Sequence, residues 1–522
     1  MYDYIIVGAG TAGCVLAARL SEDRHARVLL LEAGGAGKKK EIRIPLAFSK
    51  LFRSEIDWNY STEPEPHLAN RRLYWPRGKV LGGSSAMNAM IYMRGNPADY
   101  NRWREMGNAG WGFDHVLPYF KRAENQQRGA SEFHGVGGPL DVCDLRAVHP
   151  LVHAFLSAAE EVGFSRNDDF NGATQEGVGL YQVTQRRGRR WSAADAYLRP
   201  ALHRPNLRVE TAAHATGIFF ERQRATGARY LQHGAMNEVF ARREVILAGG
   251  AVNSPQLLLL SGIGSADSLR QHGIEPVADL PGVGENLQDH LVMVVEYECT
   301  RPITLETAET FPNYVKFLLF GKGPLTSNVA EAGIFKKTHS AALAPDLQIL
   351  FGPCYYQKHG FDPPAAHRYS IGPTLIAPLS RGRITLQSNN PLEAPAIRAN
   401  YLAEDSDMRV LIEGVKISRG IGEARAFAAF RGAETHPGPA AKSDEEIAAS
   451  IRTTAETLYH PVGTCKMGTD SMAVVDYRLR VRGVEGLRVV DASVMPEIIA
   501  GNTNAPVVMI AEKAADMIRE RS

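Results

Sequence analysis

Tyr4-Ile5-Ile6-Val7-Gly8-Ala9-Gly10-Thr11-Ala12-Gly13 runs from a strand-like segment into a turn built on three glycines. Four such residues in a row predict a strand buried on both faces, as in a parallel sheet. The glycines follow in GxGxxG spacing, and each has its own use. Gly8 permits the tight turn, Gly10 lets the backbone approach a pyrophosphate, and Gly13 allows close contact between helix and strand. The helix that starts here has Val15, Leu16 and Leu20 on its apolar face. Its free N–H groups and positive dipole end point at the phosphates. Val28-Leu29-Leu30-Leu31 predicts the second strand, which ends at Glu32, 24 residues after Gly8. A carboxylate there accepts hydrogen bonds from ribose hydroxyls and repels a 2′-phosphate. Glycine spacing alone is weak evidence; strand, glycine turn, helix and acid in this order predict a dinucleotide-binding βαβ unit.

A second glycine cluster lies further on, in Arg77-Gly78-Lys79-Val80-Leu81-Gly82-Gly83-Ser84-Ser85-Ala86-Met87-Asn88-Ala89-Met90. Consecutive small residues let several backbone N–H groups converge on an anionic or polar ligand. Between Gly34 and Gly138, proline, glycine and aromatic residues interrupt the strand–helix alternation, which returns near Arg243-Glu244-Val245-Ile246-Leu247-Ala248. From about Leu291 to Ala449, alternating segments such as Arg383-Ile384-Thr385-Leu386-Gln387 predict an antiparallel sheet. The C-terminal residues again resemble the first domain. The expected fold is an α/β nucleotide-binding domain with a Rossmann-like parallel sheet, plus an α+β substrate domain with an antiparallel sheet. The first is assembled from residues 1–155, 190–292 and 450–522, the second from 156–189 and 293–449.

Lys plus Arg number 59 and Asp plus Glu 57, so the basic excess of a nucleic-acid binder is missing. Cys14, Cys143, Cys299, Cys354 and Cys465 are scattered, with no CxxC or Cys/His ligand spacing. Isolated reduced thiols and no metal site are expected. The opening residues lack a basic region followed by an apolar one, and no window approaches the ~20 apolar residues of a membrane span. A cytoplasmic location is expected, with peripheral contact to the inner face of the membrane as a further possibility. Tyr314-Val315-Lys316-Phe317-Leu318-Leu319-Phe320 reads as a short apolar helix with flanking lysines, either a membrane contact or a lid over an internal site. The sequence leaves the oligomeric state open.

Four motifs between Tyr4 and Pro506 resemble those of the glucose–methanol–choline (GMC) oxidoreductases, closest in pattern to bacterial choline-dehydrogenase-like and aliphatic alcohol dehydrogenases. They are Gly8–Gly13 with Glu32, the Arg77–Met90 stretch, Gly250-Ala251-Val252-Asn253-Ser254-Pro255-Gln256 through Gly264, and a C-terminal pair. That pair is Tyr459-His460-Pro461-Val462-Gly463-Thr464 and Gly501-Asn502-Thr503-Asn504-Ala505-Pro506. The resemblance implies one FAD. Gly8, Gly10, Thr11, Ala12, Gly13, Glu32 and Ala33 would hold its ADP half, with Ala215 at the adenine end. Val80, Gly82, Gly83, Asn88, Ala89 and Met90 would lie along the flavin, and Asp491, Ala492 and Asn504 by the ribityl chain and ring. Some family members attach FAD through a histidine where this chain has Met87; a thioether cannot form that bond, so non-covalent FAD is expected.

The resemblance also implies the chemistry. His460 matches the histidine that faces flavin N5, and a neutral imidazole suits removal of an alcohol proton at physiological pH. Asn504 is expected to take the second position beside it and hydrogen-bond the alcohol oxygen. Glu331 resembles a position where choline-oxidising relatives hold a trimethylammonium head, but cation-binding aromatic walls are absent just before it, so a structural role is expected. His149, His153 and His290 are expected to be structural or exposed, with Asp289-His290 holding the domain junction. The expected function is FAD-dependent oxidation of a small-molecule primary alcohol to an aldehyde, with electrons passed to a quinone or other acceptor. The alternatives are an oxidase that reduces oxygen to peroxide, a choline dehydrogenase, and a hydroxynitrile-lyase-type FAD protein.

Overall fold

The fold is that of a computed structural model, which describes residues 1–362 and 366–520. The opening segment forms β1 (Tyr2–Val7), α1 (Thr11–Leu20) and β2 (Val28–Leu31). β1 and β2 pair in parallel with Val7 opposite Leu31, so both strands end at one edge of the sheet. The sheet continues outward from β2 to Leu207–Glu210, and from β1 to the second half of Ala235–Leu247 and then Leu487–Val489, all parallel. Every residue of β2 is buried, as its unbroken apolar run requires. The first half of Ala235–Leu247 turns away into an antiparallel meander with Arg224–Gln232 and Ala213–Glu221. Gly13 shows why this helix start needs glycine: a Cβ there would sit 1.8 Å from the Gly8 carbonyl oxygen.

The second sheet is antiparallel throughout, in the order Arg431–His436, Val295–Cys299, Arg368–Leu375, Leu347–Gly352, Ala332–Lys336, Gly177–Leu180. Its strands alternate as the pleat dictates. Leu347, Ile349, Phe351, Tyr369 and Ile371 enter a core covered by the helices Pro150–Glu161 and Asp405–Glu423. Leu350, Gly352, Ser370 and Gly372 face the opposite way, into a large cleft. Arg383–Thr385 is antiparallel but stands outside this sheet, paired with Ala396–Arg398 in a separate hairpin.

The expected divisions at 292/293 and 449/450 are displaced. Leu291–Val292 pairs with both Glu456–Thr457 and Arg368–Leu375, so the second sheet reaches past both divisions. Two short strands thus carry His290 and His460 on adjoining chain segments. The Tyr314–Phe320 segment lies in a helix spanning Phe311–Phe320, in which only Phe317 is buried.

Candidate active site

The cleft lies between the two sheets and encloses about 2300 Å³ including its open mouth. At one end, both oxygens of Glu32 are taken up by backbone: Oε2 accepts from Ala9 N–H at 2.9 Å and Oε1 from Gly34 N–H at 2.8 Å. Burial pushes this carboxyl up to about 7. The two glycine loops meet backbone to backbone. Gly82 N–H donates to the Ala9 carbonyl at 2.8 Å, and a Cβ on Gly83 would lie 2.6 Å from Gly10 Cα. No side chain caps the N-terminus of α1, so its N–H groups stay free for an anion. A cradle of this shape, walled by backbone where glycine leaves no Cβ, fits a dinucleotide pyrophosphate.

Most of the expected cofactor residues line the cleft: Gly8, Gly10, Thr11, Ala12, Glu32 and Ala33 at one end, then Gly83, Asn88, Ala89 and Met90, with Ala215, Asp491, Ala492 and Asn504 completing the wall. Gly13, Val80 and Gly82 stand behind it. Gly13 is wedged under Gly8, Val80 is fully buried in an apolar cluster with Ile42 and Met87, and Gly82 ties the two loops together. Asn88 is fixed through Oδ1, which accepts from Met90 N–H at 3.0 Å and from the Arg190 guanidinium at 2.9 Å. Asp491 binds back onto protein, accepting from Gly250 N–H at 2.8 Å and from the hydroxyls of Ser254 and Ser493. It clamps the start of the helix Gly250–Leu260 to the wall. Trp58, beside Ala215 in the cleft, stacks on Tyr60 with ring centroids 5.7 Å apart.

His460 faces the middle of the cleft from a segment held under conformational restraint. Tyr459 has φ +69°, a left-handed conformation that a bulky residue holds only when its surroundings fix it. Four contacts do so: its N–H donates to Thr457 Oγ1 at 2.8 Å, and its carbonyl accepts from Arg77 at 2.6 Å. Its hydroxyl meets Tyr356 at 3.1 Å and His359 at 2.6 Å. Asp289 then accepts the His460 N–H at 2.6 Å, Thr457 Oγ1 at 2.5 Å and the Tyr401 hydroxyl. Burial pushes Asp289 up to about 6. The imidazole of His460 is held well below its ordinary value, first by burial and then by its neighbours His290 and Arg77. It is therefore neutral at physiological pH.

The expected partner Asn504 is elsewhere. Its Oδ1 accepts the Thr11 hydroxyl at 2.8 Å, joining the glycine loop to the start of the helix Asn504–Arg519. The amide beside the base belongs to Asn502, whose Nδ2 lies 3.3 Å from His460 Nε2. The reason is local: the helix begins at Asn504 and fixes its direction, while Asn502 sits two residues earlier in a loop facing the cleft. Asn502 Oδ1 is buried without a partner, which leaves it available to a bound molecule. An amide nitrogen has no lone pair, so Nδ2 donates and His460 Nε2 accepts. The ring proton of His460 is then on Nδ1, which lies 3.0 Å from His290 Nδ1. The basic nitrogen faces the cleft.

His290 is thus more than a junction residue. It is fully buried, and burial pushes it down to about 3. Glu331 lies outside the cleft wall, its oxygens accepting from Ser327 Oγ at 2.5 Å and from His149 N–H at 2.8 Å. His149 caps the helix Pro150–Glu161, accepting from Leu151 N–H at 3.2 Å, and His153 is exposed. Asn502 and the His290 contact were missed by reading the sequence. Pro506 three residues into Asn504-Ala505-Pro506 offered a signal, since a proline in the first turn marks a helix start and leaves Asn502 outside it.

A dinucleotide cradle ending at a half-buried imidazole and an amide whose oxygen has no partner defines the class: a cofactor-dependent oxidoreductase of two domains. Models of the GMC oxidoreductases match residues 2–292 and 378–511. The chain belongs to the GMC oxidoreductase family. It is 48% identical to the alcohol dehydrogenase [acceptor] of Pseudomonas putida, covering 99% of this chain and 96% of the relative. Identity to the mitochondrial choline dehydrogenase of Mus musculus is 46%, over 99% of this chain and 89% of that one. Among solved structures, pyridoxine 4-oxidase from Mesorbium loti superposes with a TM-score of 0.92 at 35% identity, covering 100% of this chain and 99% of the other.

Proposed function

We propose that this protein oxidises a primary alcohol to an aldehyde with non-covalently held FAD, and passes the electrons to a quinone or similar acceptor rather than to oxygen. The observation that carries the reading is His460 Nε2 at the wall of a dinucleotide cleft, 3.3 Å from Asn502 Nδ2. The two glycine loops, Glu32, Asn88 and Ala492 would hold FAD, which would supply the hydride acceptor. His460 Nε2 takes the hydroxyl proton of the alcohol as the carbon–hydrogen bond breaks. Asn502 donates its amide N–H to the alcohol oxygen and stabilises the negative charge that develops there. Tyr459 and Asp289 hold the imidazole in place, so little reorganisation is needed at the moment of reaction. Phe48, Phe52, Val329 and Tyr356 make the nearby wall apolar, which suits an aliphatic or aryl group and excludes water. Glu331 lies outside the cleft lining, held by Ser327 and His149, and so does not face a trimethylammonium head in the cleft.

The test is anaerobic mixing of the yellow protein with a series of primary alcohols, aliphatic and aryl, and with choline. The flavin bleaches with the first group. A flavin that stays yellow with every alcohol overturns the reading, as a lyase's would. Peroxide formation in air matching dye reduction would overturn the choice of acceptor.

A further inference from the structure

Two surface features on the far side of the segment Pro45–Leu51 have no part in the cleft chemistry. Ala47 in that segment packs on Phe317, the one buried residue of the helix Phe311–Phe320, while Phe48 faces the cleft. The remainder of the helix turns apolar residues outward: Phe311 is 81% exposed, Leu318 61%, Leu319 69% and Phe320 64%. Large apolar side chains left outward along a surface helix are costly in water and mark an interaction site.

The tip of that helix, Leu318, Leu319 and Phe320, forms one wall of a groove whose other walls are arginines. Arg186 and Arg199 are neutralised by Asp141 at 3.2 Å and Asp195 at 2.9 Å. Arg43, Arg187, Arg189 and Arg190 make no ion pair among the described residues. Arg190 is the most enclosed of the four. It is only 2% exposed, it is bound through Nε to the Ile42 carbonyl and through Nη1 to Asn88, and its Nη2 is buried with no partner. Burial pushes this guanidinium down to about 9, against the opposing pull of the Asp195 carboxylate. Lys316 and Lys322, both exposed, add further positive charge at the same end of the helix.

We propose that this face docks on an anionic phospholipid surface, with Phe311, Leu318, Leu319 and Phe320 entering the acyl boundary and the arginine groove receiving a lipid phosphate. The juxtaposition suits that occupant. A short helix with apolar residues outward lies in the plane of an interface, and unpaired guanidiniums at its edge stand where the headgroups are. Arg43, Arg187 and Arg189, exposed or half-buried and without ion pairs among the described residues, offer phosphate oxygens charge-assisted bonds. Docking is independent of the chemistry in the cleft, and its failure would leave the proposed reaction standing. Where docking holds, it brings a lipid-dissolved acceptor to the protein.

The experiment is co-sedimentation of the FAD-loaded full chain with two kinds of vesicle, phosphatidylcholine alone and phosphatidylcholine mixed with phosphatidylglycerol. The protein sediments with the acidic vesicles and is released by salt. Binding falls about fivefold for each of Arg43→Ala and Arg187→Ala, and at least as far in the double variant Leu319→Glu, Phe320→Glu. All these positions are exposed or unpaired, so melting temperature and dye-coupled alcohol oxidation in detergent-free buffer stay unchanged. Protein that remains in the supernatant with acidic vesicles overturns the proposal. So does equal binding to neutral vesicles, or undiminished binding by the glutamate variant. A dimer in solution that the glutamate variant dissociates would also overturn it, by assigning the face to a second copy.

Discussion

The Nδ1 atoms of His290 and His460 lie 3.0 Å apart with their rings nearly perpendicular, at 86°, so one proton is shared between two nitrogens. Because Asn502 donates to the other nitrogen of His460, that proton belongs to His460, and His290 accepts it. His290 is a positioning residue: it fixes the tautomer of the base without touching the cleft. Replacing His290 with Ala removes this constraint and one of the neighbours that depress the proton affinity of His460. The expected result is a kcat lowered on the order of tenfold, a part of what a general base supplies. The acid limb of kcat/KM moves to higher pH, while KM for the alcohol changes little. A uniform loss of activity with an unmoved pH profile would argue for a purely structural His290.

His460 is held below its ordinary value, so its base form is already complete at neutral pH. The rate of flavin reduction in the native protein is expected to be flat from pH 8 to ~6.5 and to fall only in more acidic solution. Stopped-flow reduction across pH checks this. A midpoint above ~6.5 would contradict the geometry.

The two asparagines separate by role. His460→Ala abolishes reduction and leaves FAD bound. Asn502→Ala slows reduction by roughly ten- to a thousandfold, as loss of one oxygen-stabilising donor does. Asn504→Ala breaks the Thr11 tether, weakening FAD retention and sparing the reduction rate of loaded protein. Equal rate losses in both asparagine variants would undo the distinction.

Acid stability follows from His290. In the folded chain it titrates at about 3, in the unfolded chain near 6.5. The unfolded state therefore binds more protons between those values, and stability is lost as pH falls from about 6.5 toward 3. The slope is ~1.4 kcal/mol per pH unit for the group. Urea midpoints should drop less steeply with acid in His290→Gln than in the native chain, a comparison that cancels other groups such as Glu32.

Gly83→Ala tests the meeting of the two loops. The new Cβ, 2.6 Å from Gly10 Cα on a residue with φ +52°, has only backbone to push against. A loss of about 1–3 kcal/mol is expected by thermal unfolding, with a larger fraction of protein purified colourless. A variant as stable and as yellow as the native chain would mean that the loops part freely.

The glycine loops, Glu32 and His460 were legible because their constraints are local: a turn, a helix start and an acid at fixed spacing can be read without knowing the fold. Asn502 and His290 were not: the first hangs on one helix boundary, the second on a long-range contact. Choosing between Asn502 and Asn504 turns on where one helix begins. The link from His290 to His460 depends on pairing of Leu291–Val292 with Glu456–Thr457, two-residue strands too short to leave a pattern. The same pairing moved both domain divisions. Glu331 could be placed only once Ser327 and His149 were seen to occupy its oxygens. The helix at Phe311–Phe320 was visible as an apolar run, but its outward face was not.

The hydrogen bond from Thr11 to Asn504 joins residues 493 apart in sequence. A ribosome adding ~5–20 residues per second delivers the first glycine loop tens of seconds before the partner that completes it. Until then, the edge of Ala235–Leu247 that receives Leu487–Val489 stays uncovered. Synthesis interrupted before that strand appears therefore yields an open sheet edge with no finished nucleotide pocket. Late supply of FAD fits this order, because the ligand has nowhere complete to bind until almost the whole chain has emerged.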